Sequence, residues 1–365
     1  MKKHIYKTLL LLFFLPLVCF ATNSKKKHEK SKTIAKEFAV NSDATVSLIN
    51  KYGNINVTTW NKNQVAIIIK ITVKGDDLDR VEQKLASIDV SFNNTLNAVS
   101  AETTFKKIKS NWFSSWIKSN NENLSSQINY SVKMPATSMA DFNNKYGNIY
   151  LDKLENQATI NCQYGNLNID NLLNEKNTIY LAYGKGRINN IKSGKLTLNY
   201  SDFLISKAEK IKVDSNYSNL NFKQVNTIDF NADYGNVTVD DGVYINGNSD
   251  YAKISLGSIE KTAILRADYG SVQIKNLVNK FEKVAINGSY TAIKIGVNHL
   301  NNFNFTVDLS YAGFNYPKQN VSLFKSIVKP SKKLYQGVWG SKNSNSIITI
   351  KSDYGGVSIR NENNH

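Results

Sequence analysis

"NYSNLNF", residues 216–222, sets a Tyr before a small residue and two alternating apolar side chains, and the pattern returns as "DYGNVTV" (233–239) and "DYAKISL" (250–256). Extending the alignment both ways gives Tyr146, Tyr164, Tyr183, Tyr200, Tyr217, Tyr234, Tyr251, Tyr269, Tyr290 and Tyr311, spaced by 18, 19, 17, 17, 17, 17, 18, 21 and 21 residues. Tyr52 and Tyr354 carry the same motif near the chain ends, making twelve copies. A fixed period of this length marks a repeat architecture.

Positions counted from the Tyr show what each unit builds. Three and five residues after it stand apolar pairs such as Ile55 and Val57, Leu167 and Ile169, Val237 and Val239, and Val357 and Ile359. Four residues before it stand Ile160, Ile179, Leu196, Val213, Phe230, Leu265, Ile286, Val307 and Ile350; eight after it stand Leu154, Leu172, Ile191, Ala208, Val225, Ile259 and Leu277. Period two signals strand, so each unit holds two short strands and a corner. One such unit cannot bury its apolar face alone, but units stacked in register can. The expected fold is all-β: a parallel β-solenoid (β-helix) of about 17 to 21 residues per rung, with one helical insertion near the N-terminus and a C-terminal cap. Twelve rungs would make a rod roughly 55 Å long.

The period breaks twice. "DDLDRVEQKLASI" (76–88) spaces Leu78, Val81, Leu85 and Ile88 as a helix, and "QVAIIIKITVKG" (64–75) and "SSQINYSVKMP" (125–135) read as strands beside it. The insertion is expected to cover the open end of the stack, whose unpaired edge invites association. Residues 317–345 form the second break, expected as a loop before a distal cap. The organisation read from the sequence is thus a signal peptide at 1–21, a basic tail at 22–34, N-terminal rungs with helix and cap at 35–140, regular repeats at 141–316, and a loop with a C-terminal cap rung at 317–365.

The signal rests on Lys2, Lys3 and Lys7 before "LLLLFFLPLVCF", an apolar run too short to span a bilayer. No transmembrane span is expected after its removal. Cys19 could carry lipid, although Val18 before it is an unusual neighbour for that processing. If Cys19 leaves with the signal, Cys162 has no partner for a disulfide. The 41% hydrophobic content excludes a disordered chain. The formal charge of +17 is carried by scattered lysines, with Arg only at 80, 187, 266 and 360, and export argues against a nucleic-acid partner.

Counting alternately, the Tyr shares a face with the apolar position four before it, so Tyr146, Tyr164, Tyr183, Tyr200, Tyr217, Tyr234, Tyr251 and Tyr269 are expected at repeat corners with rings turned inward. An exposed aromatic row for sugar rings would require the corner to reverse that parity. Cys162 lies in the inward register, and the residue after the Tyr, Gly in seven copies but Ser, Ala or Thr elsewhere, demands smallness more than positive φ. Asp233, Asp250 and Asp268 fall in successive rungs facing solvent, without the further oxygens a calcium site needs. No catalytic, cofactor-binding or metal-binding set is expected. The stretch "NWFSSWIKS" (111–119) supplies a candidate contact loop of Trp112, Phe113, Trp116 and Lys118, with packing over the N-terminal opening as its structural alternative.

"INKYGNINVTTWNKNQV", a helical insertion, "INYSVKMP", "FNNKYGNIYL" and the following YGN-type rungs resemble the bacterial putative adhesin family of exported proteins, related to autotransporter adhesin head (GIN) type domains. The resemblance covers nearly all of the mature chain and implies a β-helical, envelope-located, adhesin-like protein; it transfers no catalytic residues. The expected function is a non-catalytic envelope or surface protein at the periplasm, outer membrane or cell surface, with glycan, cell wall or an envelope protein as partner. The alternatives are a β-helical carbohydrate-active enzyme, which needs paired carboxylates across a groove, and an envelope signalling partner.

Overall fold

The computed structural model describes residues 26–106, 124–341 and 344–361. The expected signal segment, Cys19, and the candidate loop residues Trp112, Phe113, Trp116 and Lys118 lie outside the described residues. The protein is all-β: its strands hydrogen-bond into one 24-stranded sheet, beside a single long helix among the described residues, Leu78–Ser87.

Each repeat contributes a strand on either side of its Tyr. Met139–Lys145 leads into Tyr146 and Ile149–Leu154 follows it; Ala158–Gln163 leads into Tyr164 and Leu167–Leu172 follows it. As far as Val297 these strands pair in parallel with their equivalents one repeat away, Phe142 with Ile160 before the Tyr and Leu151 with Ile169 after it. The same register continues through Ile179 with Leu196, Leu196 with Val213, and Val213 with Phe230. Two runs of parallel strands result, one before and one after the Tyr corners. The apolar positions read from the period are buried in every copy, and they form one core cluster. Parallel pairing aligns like residues, so Ile, Leu and Val recur against themselves along the core.

At the N-terminal end the pairing turns antiparallel. Gln64–Gly75 lies against Ser125–Pro135, with Ile69 opposite Tyr130, and His28–Ala39 lies along its other side, with Ile34 opposite Ile69. Residues 28–34 are therefore strand rather than tail: side chains such as Ile34 and Phe38 pack against the core while Lys30 and Lys36 stay exposed. The helix begins at Asp77, whose carboxylate accepts the Arg80 amide as an N-cap, and it packs through buried Val81 onto these two strands. Lys32 Nζ donates to the Ile88 carbonyl at 2.6 Å, and Phe38 meets Phe92 at 6.0 Å, drawing the two runs together under the helix. A buried polar chain sits just inside. Thr103 Oγ1 donates to Asn50 Oδ1, Asn50 Nδ2 donates to the Ile128 carbonyl, and the Tyr130 hydroxyl lies 2.8 Å from Thr103. Desolvation by burial pushes the Tyr130 phenol up to about 12, so it stays a neutral hydrogen-bonding group.

The C-terminal end departs from the sequence order. Ile347–Asp353 pairs in parallel with Lys283–Ser289 on one side and Phe303–Ser310 on the other, placing Ile350 between Ile286 and Val307. The "DYGGVSI" copy is thus not the cap rung expected of it. It is threaded between two earlier repeats, and the last layer is formed by Phe303–Ser310 and the short strand Phe314–Asn315. Residues within 317–345 do supply an end structure, an antiparallel hairpin of Val321–Val328 and Lys332–Trp339 laid against Phe303–Ser310.

Candidate functional site

The twelve tyrosines line up on one edge of the protein, where the two runs of strands meet. All twelve have φ between 50° and 63°, the left-handed region, which costs an ordinary residue about 1–2 kcal/mol. This conformation breaks the alternation of the strand, so the ring leaves the core. The inward orientation expected for Tyr146, Tyr164, Tyr183, Tyr200, Tyr217, Tyr234, Tyr251 and Tyr269 is corrected: these rings are 43% to 51% exposed. The residue two before each stays inward, as Cys162, Leu181, Leu198, Ser215 and Ala232 do.

The rings stack in one continuous column. Its order is Tyr52, Tyr146, Tyr164, Tyr183, Tyr200, Tyr217, Tyr234, Tyr251, Tyr269, Tyr290, Tyr354 and Tyr311, with centroids 4.7 to 5.3 Å apart and planes within 20° of parallel. The spacing is that of adjacent β-strands, so the backbone ladder sets it. Each interior ring has both faces covered by neighbours, leaving its edge and hydroxyl outward. Sugar rings therefore cannot lie on the aromatic faces, and what the column offers is a periodic row of phenol hydroxyls. The Tyr234 hydroxyl is held above its usual pKa, first by the desolvation its surroundings impose and then by Tyr217, Tyr251, Asp233 and Asp250, so this phenol stays a neutral hydrogen-bonding group.

The following residue keeps the backbones close. A Cβ on Gly147 would come within 1.9 Å of the Gly53 carbonyl oxygen, and none of the seven glycines here has positive φ. Smallness is the requirement, and where Ser or Thr stands instead its hydroxyl turns back on the chain: Ser218 Oγ donates to the Asn216 carbonyl and Thr291 Oγ1 to the Ser289 carbonyl.

Polar rows flank the column. On one side Asn54 Oδ1 accepts from the Asn148 amide, Asn148 Oδ1 from the Asn166 amide, and Asn166 Oδ1 from the Lys185 amide. Farther along, Asn219 Nδ2 donates to Asp202 Oδ1 and Asn236 Nδ2 to Asn219 Oδ1. On the other side the charge changes sign. Lys145 Nζ lies 5.1 Å from the Tyr146 ring and 5.5 Å from the Tyr164 ring near one end. Asp233, Asp250 and Asp268 stand beside the rings toward the other, where an open groove is bounded by Asp233, Asp250, Asn231, Asn248 and Arg266, with Arg266 Nη2 also 3.4 Å from Asp268 Oδ2. The row is thus directional, basic to acidic. Among the described residues no group of three or more His, Cys, Asp or Glu could hold a metal ion. Cys162 is buried and free, and desolvation pushes its thiol up to about 12, which removes the thiolate a nucleophile needs. No helix among the described residues is long and apolar enough to cross a membrane.

The strain and the stacking are nearly balanced, which gives a test. Tyr234→Ala keeps the left-handed backbone while removing two ring contacts worth about 0.5–1.5 kcal/mol each. Tyr234→Gly loses the same contacts but relieves the backbone cost, offset in part by the entropy of Gly. The Gly variant is expected to be about 1 kcal/mol more stable than the Ala variant in chemical denaturation. Equal stabilities would show that the backbone carries no such strain.

No family model matches the chain, and no sequence among the curated proteins matches it. Among solved structures, one described as a "putative cell adhesion protein" from Clostridium sporogenes is 13% identical, covers 91% of this chain and 100% of its own, and has a TM-score of 0.18. A "putative adhesin" from Parabacteroides distasonis is 8% identical, covers 90% and 97%, and has a TM-score of 0.31. A "putative lipid binding protein" from the same species is 9% identical, covers 90% and 96%, and has a TM-score of 0.28. Similarity at these TM-scores carries no functional argument.

Proposed function

We propose that the chain is an exported, non-catalytic β-solenoid of 17- to 21-residue rungs that presents its tyrosine edge to an extended polymeric partner at the cell envelope or surface, with glycan favoured. The reading takes residues 1–21 as the export signal and 141–316 as the regular rungs. The observation that carries it is the column itself. Gly or Asn occupies a left-handed position at little cost, yet Tyr holds it twelve times. Because stacking roughly offsets the strain, stability alone gives no reason to keep the phenol at every repeat. A hydroxyl about every 5 Å, flanked by amides and carboxylates, matches a linear polyhydroxylic chain lying along the edge and hydrogen-bonding through its own hydroxyls. Such contacts are individually weak in water, and affinity then comes from their repetition.

The test is a glycan array on the exported protein, followed by a depolymerisation assay on any ligand found. Binding should rise with the degree of polymerisation and fall in a variant with Tyr200, Tyr217 and Tyr234 changed to Phe, which keeps the stack and removes three hydroxyls. Binding unaffected by that variant would remove the column from the contact. Chain cleavage abolished by a single carboxylate substitution would replace this reading with a carbohydrate-active enzyme.

A further inference from the structure

The two ends of the protein are finished differently. At the N-terminal end the helix Leu78–Ser87 and the strand His28–Ala39 lie over the core. At the other end the run of strands before the Tyr corners extends two strands past the run after them: Lys332–Trp339 and Val321–Val328 continue beyond Phe303–Ser310, whereas the opposite run stops at Phe314–Asn315. Phe314 and Tyr316 reach across to Tyr335, at 5.5 and 6.2 Å, and cover the first of the two overhanging strands. The outer strand is left bare. Leu323 is 37% exposed, Phe324 70%, Ile327 40% and Val328 61%.

The charge of this hairpin is one-sided. The sequence has no Asp or Glu between Asp308 and Asp353. Lys325, Lys329 and Lys332 stand exposed on the outer strand and its turn, with Lys318 at the hairpin's base, and Lys333 Nζ is tied to the Ala312 carbonyl at 2.8 Å. Exposed apolar side chains set among lysines, with no carboxylate on the hairpin itself and the Asp308 carboxylate one strand inward opposite Leu334, match the boundary between acyl chains and anionic headgroups. The strand is also poorly made for a second copy of itself. A bulge shifts the register between Leu323 and Lys325, Pro330 stands in the turn, and edge-to-edge pairing would bring the lysines of two copies together, all devices that discourage strand addition.

We propose that the hairpin Val321–Val328 and Lys332–Trp339 docks this end of the protein on an anionic lipid surface, Phe324, Ile327 and Val328 entering the interface and Lys325, Lys329 and Lys332 meeting the headgroups. The site is remote in kind from the tyrosine edge, being apolar and basic instead of hydroxyl-bearing, and the polymer-binding reading can fail without it.

Vesicle co-sedimentation of the exported full chain tests it, using phosphatidylcholine vesicles with and without phosphatidylglycerol. Binding is expected only with the anionic lipid and should weaken as salt is raised. Lys325→Glu with Lys329→Glu should reduce it by more than about tenfold, and Phe324→Ser with Ile327→Ser should reduce it comparably, with melting temperatures unchanged because all four side chains are exposed. Absence of binding to anionic vesicles overturns the proposal. So does binding that both variants retain, or that is lost instead on replacing Trp112 and Trp116. A concentration-dependent dimer in sedimentation velocity that Phe324→Ser dissociates, without vesicle binding, would assign the hairpin to a second copy.

Discussion

A chain ending at Gly340 is expected to lose the structure of residues 303–339 while residues 139–297 stay folded. Removing the last strands would merely shorten the protein if they formed an end cap. They lie instead between two layers, with the Tyr354 ring 4.8 Å from Tyr290 and 5.0 Å from Tyr311. Ile348, Ile350, Val357 and Ile359 are each at most 2% exposed. At about 1.5–3 kcal/mol for each buried side chain, their loss removes on the order of 6–12 kcal/mol of burial, comparable with the whole stability of an ordinary domain. Phe303–Ser310 takes its parallel partner from this layer alone, so it would be left without a docking surface. Stacked repeats interact with their nearest neighbours, which confines the damage. Limited proteolysis with mass spectrometry should show cleavage within 303–339 of the truncated chain and protection of 139–297 in both forms. Equal resistance of 303–339 in the two forms would contradict the interleaved order.

Phe230→Ala is expected to cost about 3–5 kcal/mol, the range for truncating a fully buried aromatic side chain. Its ring is fully buried, and the next layer makes room for it with Gly247: a Cβ there would lie 2.1 Å from the ring. Gly186 and Phe203, directly paired across adjacent strands, repeat the device, with 2.1 Å between a built Cβ and the ring. Parallel stacking otherwise aligns equal side chains, and a phenyl exceeds the space its aliphatic equivalents occupy, so the neighbouring repeat gives up its side chain. Gly247→Ala alone should therefore destabilise by about 1–3 kcal/mol, and Phe230→Leu should reduce that penalty in the double variant. Urea denaturation of the four proteins measures the coupling. A neutral Gly247→Ala would show that the ring can move aside, and the complementarity would be refuted.

Much of the strand pattern was legible because it is local. Period two around each Tyr identified the buried positions, "QVAIIIKITVKG" and "SSQINYSVKMP" form the strands their spacing implies, and "DDLDRVEQKLASI" forms a helix over Leu78–Ser87, with Ile88 opening the next strand instead of closing the helix. The partners of those strands were less legible. Val65, Ile67, Ile69 and Ile71 alternate in the same way whether their neighbour is parallel or antiparallel, and the antiparallel seat of His28–Ala39 was hidden behind a lysine-rich composition that read as tail. Of the candidate site, the smallness required after each Tyr could be read from Ser201, Ala252 and Thr291, which exclude a need for positive φ. The outward rings could not, since counting by twos presumes an unbroken strand.

What the amino-acid order determined by itself is the repeat, the inward set of side chains and hence an all-β protein, because alternation and period are properties of covalent spacing. The tertiary structure alone decided two things. It turned the tyrosines outward, since one left-handed residue per corner reverses the parity that spacing predicts. It also placed Tyr354 between Tyr290 and Tyr311, since a parallel layer accepts any strand with matching apolar positions, regardless of when the chain supplies it.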